Sequence, residues 1–205
     1  FFPQLIAGPI VKFKEFNPQL LTSFNRLLKR DLLYVGLFIF SIGMLKKIIF
    51  ASYLSSISDP IFLDIYNEKQ IGTIDSWVGL IAFSLLIYFD FSAYSDMAIG
   101  LALCLGFKLP INFFSPYKST SLREFWKNWH ITLSRFLKEH IYIPLGGNKC
   151  SNLKCFNNIF ITMLLGGIWH GASWNFLIWG LYHGFLLNIE KIISKMKIIQ
   201  NIKIK

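Results

Sequence analysis

Four histidines supply the side chain most often used for proton transfer, and one of them lies in an unusual context. His170 is near the middle of residues 156–189, a stretch without Asp, Glu, Lys or Arg, and stands between Gly167 and Gly171. Glycine lets the backbone approach a ligand closely, and burial keeps an imidazole neutral at physiological pH. A neutral imidazole can act as a general base toward a hydroxyl group. From position alone, a histidine bonded to a neighbouring helix is an equally good interpretation.

Two other histidines occupy less telling positions. His130 follows Trp129 and lies about 100° from the apolar stripe of its helix, so it can line the mouth of a cavity or be an ordinary solvated side chain. His183 is thirteen residues beyond His170, about 220° around a helix, and need not share its face. We therefore interpret His183 as structural.

Carboxylates and cysteines are the remaining candidates for chemistry. Asp90 and Asp96 lie in or beside an apolar run, where a carboxylate is costly unless paired. They could orient an imidazole or bind a proton, or they could clamp a neighbouring helix. Cys150 and Cys155 form a poor zinc pattern, so we predict two reduced thiols and no metal.

The composition indicates a membrane protein. Of 205 residues, 54% are hydrophobic and 16% charged, more apolar than a soluble domain of this size requires. The net charge of +10 could suit nucleic acid, but apolar runs separate the basic clusters, which favours loops beside anionic lipid; no nucleic-acid partner is predicted. Three cysteines are too few for a disulfide scaffold, and soluble hydrolase, NTPase, dinucleotide and metalloprotease motifs are absent.

The elements that must position these residues are all helical. A helix over residues 156–189 would measure about 51 Å, too long for one bilayer crossing, so we predict a hairpin or re-entrant pair that turns at GGIWHGASW. Basic flanks place both of its ends in the cytoplasm. The other predicted segments are a cytoplasmic-side basic segment at 1–31, a span at 32–54, one broken span or two at 76–109, and a basic tail at 190–205. The start at Phe1, without Met, leads us to expect a fragment of a longer chain.

A segment of a different kind covers residues 122–142. Its apolar residues follow one helical stripe, at positions 122, 125, 126, 129, 133, 136, 137 and 141. The opposite face is too polar to cross a bilayer. We therefore predict an amphipathic helix at the cytoplasmic interface.

Four blocks together resemble the membrane-bound O-acyltransferase family. They are FFPQLIAGPI at 1–10, YFDFSAYSDMAIG at 88–100, SLREFWKNWHITLSRFLKEHIYIPLGGNK at 121–149 and LLGGIWHGASWNFLIWGLYHG at 164–184. The blocks are most similar to the bacterial branch that O-acetylates alginate and peptidoglycan. The resemblance implies a polytopic multi-helix bundle around a central tunnel, in the bacterial cytoplasmic (inner) membrane.

The resemblance also implies site residues and partners. It marks His170 as catalytic and His130 as the second characteristic histidine, and Trp169, Ser173, Trp174 and Asn175 are close enough in sequence to shape the pocket. It implies an acyl donor, acetyl-CoA by preference, with no bound cofactor. It further implies an exported acetyltransferase partner and a polysaccharide acceptor.

Two alternatives remain open. The D-alanyl transfer protein of teichoic acids shares the architecture and the histidine, but takes its acyl group from a carrier protein. A proton-coupled transporter would instead use the intramembrane His and Asp side chains as a proton relay.

Overall fold

The computed structural model describes residues 2–4, 8–27 and 29–203, with side chains for residues 2, 3, 8–20 and 29–196. No strand occurs among these residues, which confirms the predicted all-α fold class. Three helical stretches of the described chain are long and apolar enough to cross a membrane: Arg30–Tyr66, Thr73–Cys104 and Trp174–Met196. The chain divides into two compact units, Phe1–Asn112 and Phe113–Lys205.

The first unit consists of four α-helices. They are α1 (Phe13–Leu27), α2 (Arg30–Leu45), α3 (Ser52–Tyr66) and α4 (Thr73–Cys104). A π-helical turn, Lys46–Ala51, joins α2 to α3, so that one helical stretch runs from Arg30 to Tyr66. The span predicted at 32–54 lies inside this stretch.

Small side chains and ion pairs hold α4 against the preceding helices. Ala93, Ala98 and Ala102 are buried on α4, as expected where membrane helices approach closely. Lys46 Nζ lies 2.6 Å from Asp96 Oδ2, and Lys47 forms an ion pair with Asp90. Because each carboxylate has a lysine partner, α4 needs no interruption to accommodate it.

The prediction of a broken span at 76–109 is therefore wrong about the break. Helix α4 is continuous over Thr73–Cys104. Asp90 and Asp96 thus join α4 to the preceding helices through their lysine partners.

The second unit contains the sequence blocks with His130 and His170. Its helices are α5 (Leu122–Asn128), α6 (Ile131–Leu137), α7 (Asn152–His170) and α8 (Trp174–Lys203). A π-helical turn, Lys138–Tyr142, extends α6. Helices α7 and α8 form an antiparallel hairpin: Asn188 Nδ2 donates to the Phe156 carbonyl near its open end.

The amphipathic segment differs from the single helix predicted at 122–142. Helix α5 ends at Asn128, Trp129 is extended, and His130 has a left-handed φ of 42° before α6 begins. The Phe114 backbone N–H donates to the Asn128 carbonyl at 2.9 Å, which ends the helical hydrogen bonding there. Histidine tolerates the left-handed region better than most residues. The break gives His130 a different direction from the one that a continuous helix would impose.

Candidate functional site

The turn of the α7–α8 hairpin positions His170. His170 is the last residue of α7, and Trp174 is the first of α8. Gly171 N–H donates to the Ile168 carbonyl, and Asn175 N–H donates to Ser173 Oγ at 3.3 Å. These local bonds satisfy backbone groups that the two helix ends leave open.

Two glycines bring the helices of the hairpin into close contact. A Cβ on Gly180 would lie 2.6 Å from the Met163 carbonyl oxygen, and a Cβ on Gly167 would collide with the Phe176 carbonyl. Only glycine allows this approach. The contact places the start of α8 directly beside the end of α7, where His170 lies.

Three aromatic rings surround the His170 imidazole. Its ring centroid is 5.0 Å from that of Trp169, 5.3 Å from Trp179 and 5.7 Å from Phe176, which stacks on it. The imidazole nevertheless remains among the exposed side chains of this chain. The expectation of a buried His170 is therefore wrong here, because a residue at the end of a helix has neighbours on only part of its surface.

His170 lines a cavity of ≈ 580 Å³ within the second unit. Trp126 and Trp179 line it beside the histidine, and Met163, Gly166 and Leu133 contribute apolar wall. Such a volume and lining are typical of small-molecule sites.

The cavity extends along α8 to a basic end. Five basic side chains line it: Arg123, Lys127, Lys138, Lys191 and Lys195. From Trp179 to Lys195, α8 rises about 24 Å. Lys191 and Lys195 are thus far from the hairpin turn, so the cavity has an aromatic, histidine-bearing end and a positively charged end.

Two polar contacts involve these basic residues. Glu190 joins α8 to α5: its Oε2 accepts from the Arg123 backbone N–H at 3.0 Å, and its Oε1 lies 4.0 Å from Arg123 Nε, which partly offsets the Arg123 charge. Lys195 Nζ donates to Asn152 Oδ1 at 2.6 Å across the open end of the hairpin. Lys127 and Lys138 lie within the amphipathic segment at 122–142, whereas Lys191 and Lys195 on α8 are too distant in sequence to be associated with them.

His130 is buried, with 3% of its surface exposed, and is not one of the residues that line the cavity. Its ring centroid lies 6.2 Å from that of Trp169, so one indole contacts both His130 and His170. Burial, and to a smaller extent the charge of His170, lower the pKa of His130 to about 4. His130 is therefore neutral at physiological pH. It packs against Trp169, which in turn contacts His170.

His183 lies on the other side of Trp179. Its ring is 4.8 Å from Trp179 and 5.2 Å from Trp126. Its Nδ1 and the Trp126 Nε1 are enclosed without a hydrogen-bond partner among the described residues. Neither atom is accessible to a ligand, which agrees with a packing role for His183.

The other residues predicted for the pocket are distributed differently. Trp169 contacts the histidines, whereas Ser173, Trp174 and Asn175 are exposed at the hairpin turn and do not line the cavity; Trp174 is 77% exposed. Asp90 and Asp96 belong to the first unit and pair with lysines. Among the described residues no group of three or more His, Cys, Asp or Glu side chains could hold a metal ion.

Fold and cavity together define a helical membrane protein whose site combines a histidine with a long apolar cleft and a cationic end. The chain belongs to the membrane-bound O-acyltransferase (MBOAT) family, whose profile it matches over residues 1–203.

Three relatives show which members of the family the chain is similar to. The chain is 48% identical to a peptidoglycan O-acetyltransferase of Helicobacter pylori over 194 residues, covering 95% of the chain and 36% of the relative. It is 45% identical to a probable alginate O-acetylase AlgI of Azotobacter vinelandii over 191 residues, covering 93% and 37%. A teichoic acid D-alanyltransferase of Bacillus subtilis is 28% identical over 202 residues, covering 95% and 50%. The chain thus spans about a third of the length of the first two relatives.

Proposed function

We propose that this chain forms the catalytic part of a membrane O-acetyltransferase. The protein would take an acetyl group from acetyl-CoA on the cytoplasmic side and pass it on for O-acetylation of an extracytoplasmic polysaccharide such as alginate or peptidoglycan. The observation that carries the proposal is the ≈ 580 Å³ cavity with His170 at one end and cationic side chains at the other.

The two ends of the cavity suit the two ends of such a donor. Coenzyme A carries phosphate groups at one end and a thioester at the other, joined by a long flexible arm. Lys and Arg side chains bind phosphate through charge-assisted hydrogen bonds. With the phosphates near Lys191 and Lys195, the arm would lie along the apolar wall and direct the thioester toward His170.

Acyl transfer then requires a base at the histidine end. The His170 imidazole accepts the proton of the attacking hydroxyl group while the hydroxyl oxygen bonds to the thioester carbonyl carbon. The carbon–sulfur bond then breaks, and the departing sulfur takes the proton from the imidazolium. Positioning both reactants in one cleft supplies much of the remaining acceleration.

His130 has a positioning role in this proposal. It packs against Trp169, which contacts His170, and its buried imidazole carries no charge at physiological pH. A neutral neighbour avoids the repulsion that would oppose protonation of His170 during transfer.

The proposal includes a location and partners. The apolar helices and the basic flanks of the α7–α8 hairpin support a multi-pass protein of the bacterial cytoplasmic (inner) membrane, with the open end of the hairpin in the cytoplasm. An exported acetyltransferase would complete transfer to the polysaccharide. The similarity to a peptidoglycan O-acetyltransferase and a probable alginate O-acetylase supports a polysaccharide acceptor.

D-alanyl transfer is the second candidate, supported by the similarity to a teichoic acid D-alanyltransferase. Membranes that contain the full-length protein and its partner should be incubated in parallel with acetyl-CoA that carries a labelled acetyl group and with a carrier protein that carries labelled D-alanine. We expect covalent label in the acceptor fraction from acetyl-CoA alone. If only the carrier protein labels the acceptor fraction, the donor is the carrier protein and not acetyl-CoA. If neither labels it, acyl transfer is contradicted.

A further inference from the structure

Two cysteines lie in contact beside the basic end of the cavity. Cys150 precedes α7 and Cys155 belongs to its first turn, and their Sγ atoms are 2.8 Å apart. Both are reduced, Cys155 is buried, and Cys150 is partly exposed. The two sulfurs thus need to move by less than 1 Å to reach disulfide bonding distance, about 2.05 Å.

The 145–151 loop, which connects α6 and its π-helical turn to α7, brings the thiols together. Gly146 and Gly147 have φ values of +110° and +52°, conformations that glycine adopts without strain. The Gly147 carbonyl oxygen lies 3.3 Å from Cys150 Sγ and 3.4 Å from Cys155 Sγ, within reach of an S–H donor. Asn158 Nδ2 donates to the same carbonyl at 3.3 Å. The pair is therefore fixed by the fold rather than by chance proximity of mobile side chains.

The electrostatic surroundings favour a reactive thiolate. The hydrogen bond from Cys150, followed by the charges of Lys191 and Lys195, lowers the pKa of Cys155 despite some desolvation. The same hydrogen bond raises the pKa of Cys150. Thiols with cationic neighbours at the start of a helix are typical of oxidation-sensitive sites.

We infer that Cys150 and Cys155 form a reversible redox site, which hydrogen peroxide or a related peroxide converts into a disulfide. Peroxide oxidises one thiol to a sulfenic acid and releases water. The second thiol attacks the sulfenic sulfur, forms the S–S bond and releases a second water. Two thiols and one peroxide give one disulfide and two waters, and a dithiol restores the reduced pair.

The loop connects this site to the cavity. Asn148 Oδ1 accepts from the Tyr142 hydroxyl at 2.7 Å and from Lys191 Nζ at 3.4 Å, and all three residues line the cavity. A disulfide has no S–H group, so the Gly147 carbonyl, next to Asn148, loses the thiol donor within its reach. We therefore expect oxidation to shift the loop and to weaken donor binding at the basic end; this second consequence depends on the proposed function.

The first test is chemical and independent of activity. Full-length protein in membranes is treated with hydrogen peroxide, alkylated and digested with trypsin without reduction. Because Lys154 lies between the two cysteines, trypsin separates them, so a bridge joins the peptide 150–154 to the one that begins at Cys155. We expect this linked pair in wild type and in the control Cys104→Ser, and its loss after dithiothreitol. Full alkylation of both thiols after peroxide would overturn the inference, whatever the activity.

The second test concerns regulation. Acetyl transfer by wild type should fall several-fold on peroxide treatment and recover with dithiothreitol, whereas Cys150→Ala should keep its activity under the same treatment. A bridge that forms without any change in transfer would overturn the link to the cavity. If no acetyl transfer occurs even in reduced protein, the proposed function fails, while the peptide result still decides whether the redox site exists.

Discussion

At the scale of single residues, the decisive feature is the environment of the two imidazoles around Trp169. His170 is at the end of α7, accessible and lining the cavity, whereas His130 is buried behind the shared indole. Burial penalises the charged form of an imidazole. The two histidines are therefore suited to the different tasks that we propose for them: His170 to exchange a proton with a reactant, and His130 to stay neutral and hold its neighbour.

The low pKa of His130 predicts a pH dependence of stability. Its pKa is about 4 in the folded chain and 6.5 in the unfolded one, so below pH 6.5 the unfolded state binds more protons. Folding stability should therefore fall as the pH decreases from 6.5 to 4, by about 2 to 3 kcal/mol from this residue. Thermal unfolding of the full-length protein in detergent, measured between pH 7 and pH 4.5, tests this.

The matched variant is His130→Gln, which cannot titrate. Its unfolding temperature should depend less on pH than that of wild type, even though its stability at pH 7 is lower. Equal slopes in the two proteins would mean that His130 is not the residue that titrates.

Both histidines could be identified as candidates from the sequence, but the directions of their side chains could not be predicted. A stripe of apolar residues at 122–141 has the same spacing whether the helix is continuous or interrupted, because one left-handed residue leaves the pattern on either side intact. The left-handed φ of His130 follows the end of α5, where the Phe114 N–H donates to the Asn128 carbonyl. Contacts of this kind are tertiary and leave no periodic signal.

At the scale of elements, the α7–α8 hairpin depends on the contact at Gly180. Gly180→Ala would place a Cβ 2.6 Å from the Met163 carbonyl oxygen, a backbone atom that cannot move by a rotamer change. The helices must then separate, at a cost of about 1 to 3 kcal/mol. We expect a lower yield and a lower unfolding temperature by size-exclusion chromatography of heated samples.

Gly184→Ala, one turn further along α8, is the control for the hairpin. Its Cβ would lie 3.1 Å from Phe160 Cδ1 and 3.3 Å from Phe160 Cα, tight contacts that need smaller shifts than the 2.6 Å contact at Gly180. This variant should lose clearly less stability than Gly180→Ala. If it loses as much folded protein as Gly180→Ala, general helix crowding explains the effect rather than the specific contact.

The ion pairs on α4 lead to a second prediction at this scale. Lys46 and Asp96 are each less than a third exposed, so removal of one partner leaves an uncompensated charge among apolar helices. Asp96→Asn should destabilise the protein, and the exchange Lys46→Asp with Asp96→Lys should recover part of the loss. The coupling between Lys46 and Asp96 is measured by the unfolding temperatures of wild type, of the single variants Lys46→Asp and Asp96→Lys, and of the double exchange. An exchange no more stable than the single variants would show that the pair does not clamp the helices.

The sequence also could not show how these acids are partnered. A lone carboxylate is costly in an apolar run, so Asp90 and Asp96 called for partners. Their lysines are 43 and 50 residues earlier in the chain, inside another predicted span. The local sequence pattern predicts that a helix forms, whereas the partner of a charged residue depends on which helices pack together.

At the scale of the whole molecule, we predict that both ends of the α7–α8 hairpin are cytoplasmic. Lys195 contacts Asn152 at 2.6 Å, so the two ends lie together in the fold, and basic residues flank both. In a background without native cysteines, single cysteines at 154 and 195 should resist an impermeant thiol reagent added to intact cells and react after permeabilisation. Labelling of the two positions from opposite sides would contradict the hairpin.

The central claim is that His170 is the base of acyl transfer. It predicts that His170→Gln, which preserves size and some hydrogen bonding but cannot take the proton, lowers acetyl transfer by about 10² to 10⁴ at equal protein level. The exposed His140→Gln and the packing variant His183→Gln serve as controls and should lose little. The deciding measurement is transfer of label from acetyl-CoA by membranes with matched amounts of the full-length variants. A strong loss confined to His170→Gln would support this role of His170, whereas wild-type transfer by that variant would contradict it.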